Sequence, residues 1–229
     1  YGVTGAQIKG ISDGYQDGTF RPLESITRAQ FVKMAISAFN IAPLAPATPA
    51  FADVPNTHFY YRYIEAAYAR GLVNGVGAGL FGPERTLTRQ QAIAIIAREV
   101  AAQRGFDLAV LTTEEISGAL AGFGDGSFVA GDLRDEMAYA IRNGITKGDA
   151  GGKLKPYDAI GRLAAATLLV RAGSVVSETP TITTWPTASA ITLGEALSAS
   201  TLTGGVASVP GTFAFTTPGL IPPAVGSYT

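Results

Sequence analysis

Gly14-Tyr15-Gln16-Asp17-Gly18-Thr19-Phe20-Arg21-Pro22, and after three intervening residues Ile26-Thr27-Arg28-Ala29-Gln30, is the stretch that decides the fold of this chain. A glycine-rich turn carrying an aromatic residue leads into a Thr-x-x-Gln pair, and that spacing opens a helix by reciprocal capping. The same grammar returns twice. The second copy reads Gly71-Leu72-Val73-Asn74-Gly75, then Leu80-Phe81-Gly82-Pro83, then Leu87-Thr88-Arg89-Gln90-Gln91. The third reads Gly144-Ile145-Thr146-Lys147-Gly148, then Leu154-Lys155-Pro156, then Ile160-Gly161-Arg162-Leu163-Ala164. In every copy the two glycines are 4 apart, glycine to proline is 8, and proline to arginine is 6. Offsets of 61 and 73 residues separate the copies, so insertions fall between repeats.

Each unit reads as helix, loop, helix. Tyr61 to Arg70 forms the first helix of the second unit, and Gly71 stops it. The second helix begins at Thr88, with Ile93, Ile96, Ala97 and Val100 on one face. Phe31, Met34, Ala35 and Ala38 repeat that spacing in the first unit. Phe20 and Phe81 plug the loops. One unit cannot cover its own apolar face, so the three are expected to pack together. The boundaries follow: 1–45, N-terminally incomplete; 46–108; 109–175; and a different segment over 176–229.

This grammar resembles the S-layer homology family. Phe51-Ala52-Asp53-Val54 and Phe123-Gly124-Asp125 match its opening Phe-x-Asp, and residues 14–22 with 26–30 match its loop and Ile-Thr-Arg motifs. The resemblance spans roughly residues 1 to 173. It implies a mainly α, pseudo-threefold fold, with first helices forming a central three-helix bundle and grooves between three prongs. It also implies an extracellular wall or S-layer setting. The partner implied is a secondary cell-wall polysaccharide, often pyruvylated, whose carboxylate the motif arginine would hold. Departures exist: Val76-Gly77-Ala78-Gly79 replaces the acidic turn, and in the third unit only Arg162 survives of the Thr-Arg-x-Glu end. Aligning Gly10 with Gly71 puts Tyr1 opposite Arg62, so the opening motif of the first unit is expected upstream of Tyr1.

Arg28, Arg89 and Arg162 each fall in the first turn of a helix, where the dipole disfavours a cation. Free backbone N–H groups and a guanidinium converging there would suit a carboxylate. Gly14, Tyr15, Asp17 and Gly75 complete the candidate glycan site, because glycines let backbone approach a sugar closely. The competing role for the arginines is an inter-repeat salt bridge, for example to Asp53 or Asp125. Tyr15 and Phe81 are candidates to stack on a sugar, against loop plugging for Phe81. The fullest motifs place binding at Arg28 and Arg89.

Other chemistry is thin. The chain has no cysteine and one histidine, His58, so no thiol, triad or His-rich metal site is indicated. Asp13 and Asp17 suggest half a calcium loop without the closing glutamate, and turn chemistry is the plainer use. Glu114-Glu115 opens a short helix. With a net charge of -1, nucleic acid is not an indicated partner, and no apolar run reaches membrane length. The chain is read as a non-enzyme without cofactor. After Gly173 the sequence turns rich in Thr, Ser, Pro and Gly. Strands are expected at Thr181–Trp185, Ala190–Leu193 and Gly211–Thr216, as in the opening half of a bacterial Ig-like sandwich. A half-sandwich exposes strand edges. A missing half lying in further sequence, a disordered half, and completion by strands of a second chain all stay open, and the last would make a homo-polymer. A self-assembling S-layer or filament subunit is therefore the alternative function.

Overall fold

The computed structural model describes residues 3–9, 11–12, 14–15, 17–177, 182–207 and 212–226. Asp13, Gly10 and Gln16 of the first loop, and Thr181 and Gly211 of the expected strands, lie outside the described residues. Two compact units form, Tyr1–Ser177 and Glu178–Thr229.

The first unit is helical: α1 (Gly5–Lys9), α2 (Arg28–Ala38), α3 (Tyr61–Ala69), α4 (Arg89–Gln103), α5 (Thr113–Ala121), α6 (Arg134–Arg142) and α7 (Arg162–Ser177). The caps expected from sequence are present. Gln30 N–H donates to Thr27 Oγ1 at 3.3 Å, and Thr88 N–H donates to Gln91 Oε1 at 3.1 Å. Glu115 N–H donates to Thr112 Oγ1 at 3.2 Å, starting α5 one residue before Glu114. That helix lies in the insertion between the second and third copies and packs on α6.

The residues just before α2, α4 and α7 close on one another. Ile26 N–H donates to Ile160 O at 3.1 Å, Leu87 N–H to Ile26 O at 3.3 Å, and Ile160 N–H to Leu87 O at 3.0 Å. Antiparallel bridges flank this ring: Ser25 with Gly161, Thr27 with Thr86, Thr88 with Ala159. The three side chains are almost wholly buried. A buried peptide group needs a partner, and each segment supplies an acceptor to one neighbour and a donor to the other. Two copies would leave the ring open.

The helices around this ring are the second helices, not the first. α4 packs on α7, and α2 on α7. Each first helix sits outside, on the second helix of the preceding copy: α3 on α2, α6 on α4, α1 on α7. The resemblance had implied first helices at the centre. Burial explains the correction. α4 buries Ala94, Ile95 and Ala101 as well as the stripe of Ile93, Ile96, Ala97 and Val100, so it is apolar nearly all round and belongs inside. α3 and α6 bury a narrower set and leave the rest half-buried or exposed. The five-residue α1 occupies the first-helix place of the first copy. Ion pairs on buried carboxylates stitch outer to inner helices: the exposed Arg70 holds Glu99 at 2.7 Å, and the half-buried Arg98 holds Glu136 at 2.7 Å.

The second unit carries a short ribbon. β1 (Ile182–Thr184) pairs antiparallel with β4 (Val206–Ala207), and β2 (Thr187–Ala188) with β3 (Leu202–Thr203). Only the first expected strand matches in place. Ala190–Leu193 forms none, because Thr192 N–H is taken by Glu195 Oε2 at 2.7 Å in a turn. Residues 212–216 form none either; there the Phe213 ring lies against Gly205, where an added Cβ would stand 2.6 Å from it.

Candidate functional site

Arg28, Arg89 and Arg162 are the first residues of α2, α4 and α7. Their helix N-termini are not open. Arg28 and Ala29 N–H donate to Arg85 O and Pro83 O at 2.9 and 3.1 Å. Arg89 and Gln90 N–H donate to Asp158 O and Pro156 O at 2.8 and 3.0 Å, and Arg162 and Leu163 N–H to Glu24 O and Pro22 O at 2.9 and 3.0 Å. Each proline loop thus caps the inner helix of the preceding copy. The free N–H groups expected for an anion are occupied, so these helix starts are not open anion sites.

Those guanidinium groups also reach across to the next copy. Arg28 donates from Nε to Phe81 O at 3.1 Å and from Nη2 to Asn74 O at 3.0 Å, and lies 4.6 Å over the Phe81 ring. Burial and the neighbouring Arg85 lower its pKa, against the pull of Asp53. Arg89 Nη2 donates to Thr146 Oγ1 at 3.3 Å. Arg162 Nη2 donates to the Tyr15 hydroxyl at 2.5 Å, and its Nε is buried without a hydrogen-bond partner. The inter-repeat role is therefore real, but its partners are carbonyls and hydroxyls. Asp53 and Asp125 serve otherwise. Asp53 accepts from Phe81 and Gly82 N–H at 2.8 and 2.7 Å; burial works against its ionisation, yet these bonds hold its pKa below the usual carboxylate range. Asp125 accepts from Leu154 and Lys155 N–H at 2.7 and 2.8 Å. The Phe-x-Asp motif is a loop latch.

The glycines are turn builders. A Cβ on Gly14 would stand 2.6 Å from Thr19 O, and one on Gly75 2.7 Å from Leu80 O. Tyr15 and Val76 N–H donate to these carbonyls at 2.8 and 2.7 Å. Asp17 accepts from Thr19 N–H and Oγ1 at 2.9 and 2.6 Å and from Arg21 Nη2 at 2.9 Å. The Thr19 bonds, with Arg21, hold its carboxyl far below the ordinary range, in keeping with turn chemistry. Phe81 is fully buried, 5.4 Å from Phe51, as a plug. Among the described residues no cluster of His, Asp and Glu could hold a metal.

Two grooves carry motif arginines. One, of about 450 Å³, is lined by Arg162, Tyr15, Lys9, Lys33, Phe59 and Tyr60 among others, with no carboxylate among the described lining residues. The Tyr15 ring is held between Arg21 at 3.9 Å and Arg162 at 4.4 Å. Burial, and to a lesser degree the charge of Glu84, raises the Tyr60 pKa, so its hydroxyl stays a donor. The other groove, of about 270 Å³, is lined by Arg89, Lys153, Lys155 and Arg171, with Asp149 and Asp158. Sequence reading missed Lys33, Phe59 and Tyr60. The run Phe59-Tyr60-Tyr61-Arg62-Tyr63 was the available signal, since so dense an aromatic run exceeds what one narrow helix face can bury.

Residues 9–32 and 50–93 match the S-layer homology domain. The chain is 31% identical over 195 residues to the surface-layer 125 kDa protein of Lysinibacillus sphaericus, covering 84% of this chain and 15% of that protein. It is 29% identical over 159 residues to exoglucanase XynX of Acetivibrio thermocellus, covering 69% and 14%. The cellulosome-anchoring protein of the same species is 30% identical over 90 residues, 38% of this chain and 20% of that protein. The chain thus spans a small part of each relative. No helix among the described residues is long and apolar enough to cross a membrane.

Proposed function

We propose that this chain is an extracellular anchoring module that holds a larger surface protein to the cell wall by gripping an acidic sugar of a secondary wall polysaccharide. The carrying observation is the groove at Arg162, where Arg162, Lys9 and Lys33 line one concavity with aromatic rings and, among the described residues, no lining carboxylate. Three clustered cations favour an anion, and the rings suit the apolar faces of a pyranose. A pyruvyl ketal on the sugar meets both demands. The cell-surface names of several relatives support an attachment role, and those named for glycosidases match over a small part of their length. On this reading the hydrogen-bonded ring is the axis of a pseudo-threefold set of three repeats. The Arg162 and Arg89 grooves bind, while Arg28 is spent on fastening the second loop. The chain acts by attachment, without catalysis or cofactor.

Wall sacculi carrying the secondary polymer, and sacculi stripped of it, separate this reading from others. Wild-type protein should sediment with the first and not the second. Arg162→Ala with Arg89→Ala should lower that binding by more than about tenfold, the worth of about 1.4 kcal/mol. Equal binding to stripped sacculi would sink the proposal.

A second reading has its own observation. Trp185, Leu193, Val206, Leu220, Ile221 and Val225 of the second unit are half-exposed or more. Such a set is what a self-assembling subunit would present to other copies. Sedimentation velocity at rising protein concentration tests it, and a monomer throughout would rule it out.

A further inference from the structure

The third copy carries a feature outside the arginine grooves. Its opening segment and its proline loop enclose an open dish of about 730 Å³, lined by Phe128, Tyr157, Ser127, Lys153, Lys155 and Asp158 among others. Phe128 is 65% exposed and Tyr157 62% exposed, so neither ring is a plug. The fold does not require them. Three residues after the latch aspartate, the second copy has Asn56 where the third has Phe128. One residue after the loop proline, the copies carry Leu23, Glu84 and Tyr157, and all three face solvent. An outward position tolerates any side chain, so aromatic rings at both rims are not a demand of packing.

The dish is also preformed. Gly124 N–H donates to Gly152 O at 3.1 Å, Asp125 latches Leu154 and Lys155, and Ala130 N–H donates to the buried Gln90 Oε1 at 3.0 Å. Its walls are therefore tied to each other and to α4, which lowers the ordering cost of binding. It is continuous with the Arg89 groove, since Lys153, Lys155 and Asp158 border both.

We propose that this dish is an extended subsite for the same polysaccharide. Sugar units next to the acidic one run from Arg89 across Lys153 and Asp158 and stack on Phe128 and Tyr157. Ring faces take the C–H side of a pyranose, and the charged side chains take its hydroxyls. The site would make the module a reader of a polymer segment rather than of one acidic sugar. The inference rests on the wall-polysaccharide reading above.

The probes are sacculi with and without the secondary polymer. Phe128→Ala with Tyr157→Ala should weaken binding to polymer-bearing sacculi by about tenfold with an unchanged melting temperature, since both rings are exposed. Phe128→Tyr with Tyr157→Phe keeps both faces and should bind as wild type. If the alanine pair binds like wild type while Arg162→Ala with Arg89→Ala does not, the subsite is refuted and anchoring stands. If the conservative pair is as weak as the alanine pair, stacking is refuted. If the arginine pair binds normally, or stripped sacculi bind as well, anchoring fails and the subsite falls with it.

Discussion

Arg162 Nη2 donates to the Tyr15 hydroxyl at 2.5 Å across 147 residues of sequence, so the third copy holds the first loop through the same group that is proposed to grip the sugar. Tyr15→Phe keeps the ring between its two guanidinium groups and removes the hydroxyl. Freed of that partner, Arg162 should bind polymer-bearing sacculi several-fold more tightly, the scale of one net hydrogen bond of about 1 kcal/mol. Tyr15→Ala should bind more weakly than wild type. A quantitative co-sedimentation series checks both signs.

Arg28 should behave as a structural residue. Removing it leaves Phe81 O and Asn74 O without their donor, beside a fully buried ring. Arg28→Ala should cost about 2–3 kcal/mol of stability in urea unfolding while leaving sacculus affinity near wild type. Arg162→Ala, which also removes a buried side chain holding Tyr15, should lower affinity as well as stability. Equal losses of affinity in both variants would contradict this division.

Two glycines should respond in opposite directions. On Gly75 a methyl group would meet Leu80 O at 2.7 Å and the Phe51 ring at 3.1 Å, so Gly75→Ala should destabilise by about 1–3 kcal/mol. Gly118 lies inside α5 with nothing within 4 Å of an added Cβ. Gly118→Ala should stabilise by about 0.5–1 kcal/mol. Calorimetric melting of the two variants decides.

Asp149 should titrate low. Lys155 at 2.9 Å and the N–H groups of Lys153 and Gly151 hold its pKa at about 2, against an ordinary 3.8. Because the folded pKa is depressed, its contribution is complete above about pH 4 and is lost as pH falls through 2. Carbon-detected NMR of the carboxyl should find the low midpoint, and Lys155→Ala should move it up toward 3.8.

The local devices could be read from the chain alone. Spacings of glycine, proline and arginine located the loops, the Thr-x-x-Gln pairs located α2 and α4, and Phe81 was recognisable as a plug. Each depends on residues within one turn or loop. The caps from Arg85, Asp158 and Glu24 to the inner helix of another copy were not legible, because they join segments 57 to 138 residues apart. Without them, the helix starts looked like open anion sites. The stripe at Ile93, Ile96, Ala97 and Val100 showed one buried face of α4, and its all-round burial became visible only when neighbours stood on every side. In the second unit, β-prone residues at 190–193 lost to the Thr192–Glu195 turn, where a side chain outcompeted a strand partner.

The ring joining Ile26, Leu87 and Ile160 has a mechanical consequence. A force pulling on the carboxyl end of α7 cannot peel away the third copy by itself, because that copy is fastened backwards to the first and sideways to the second. The strain is shared among all three at this ring. A tether built this way yields as one body, so it should resist shear far better than three beads on a string.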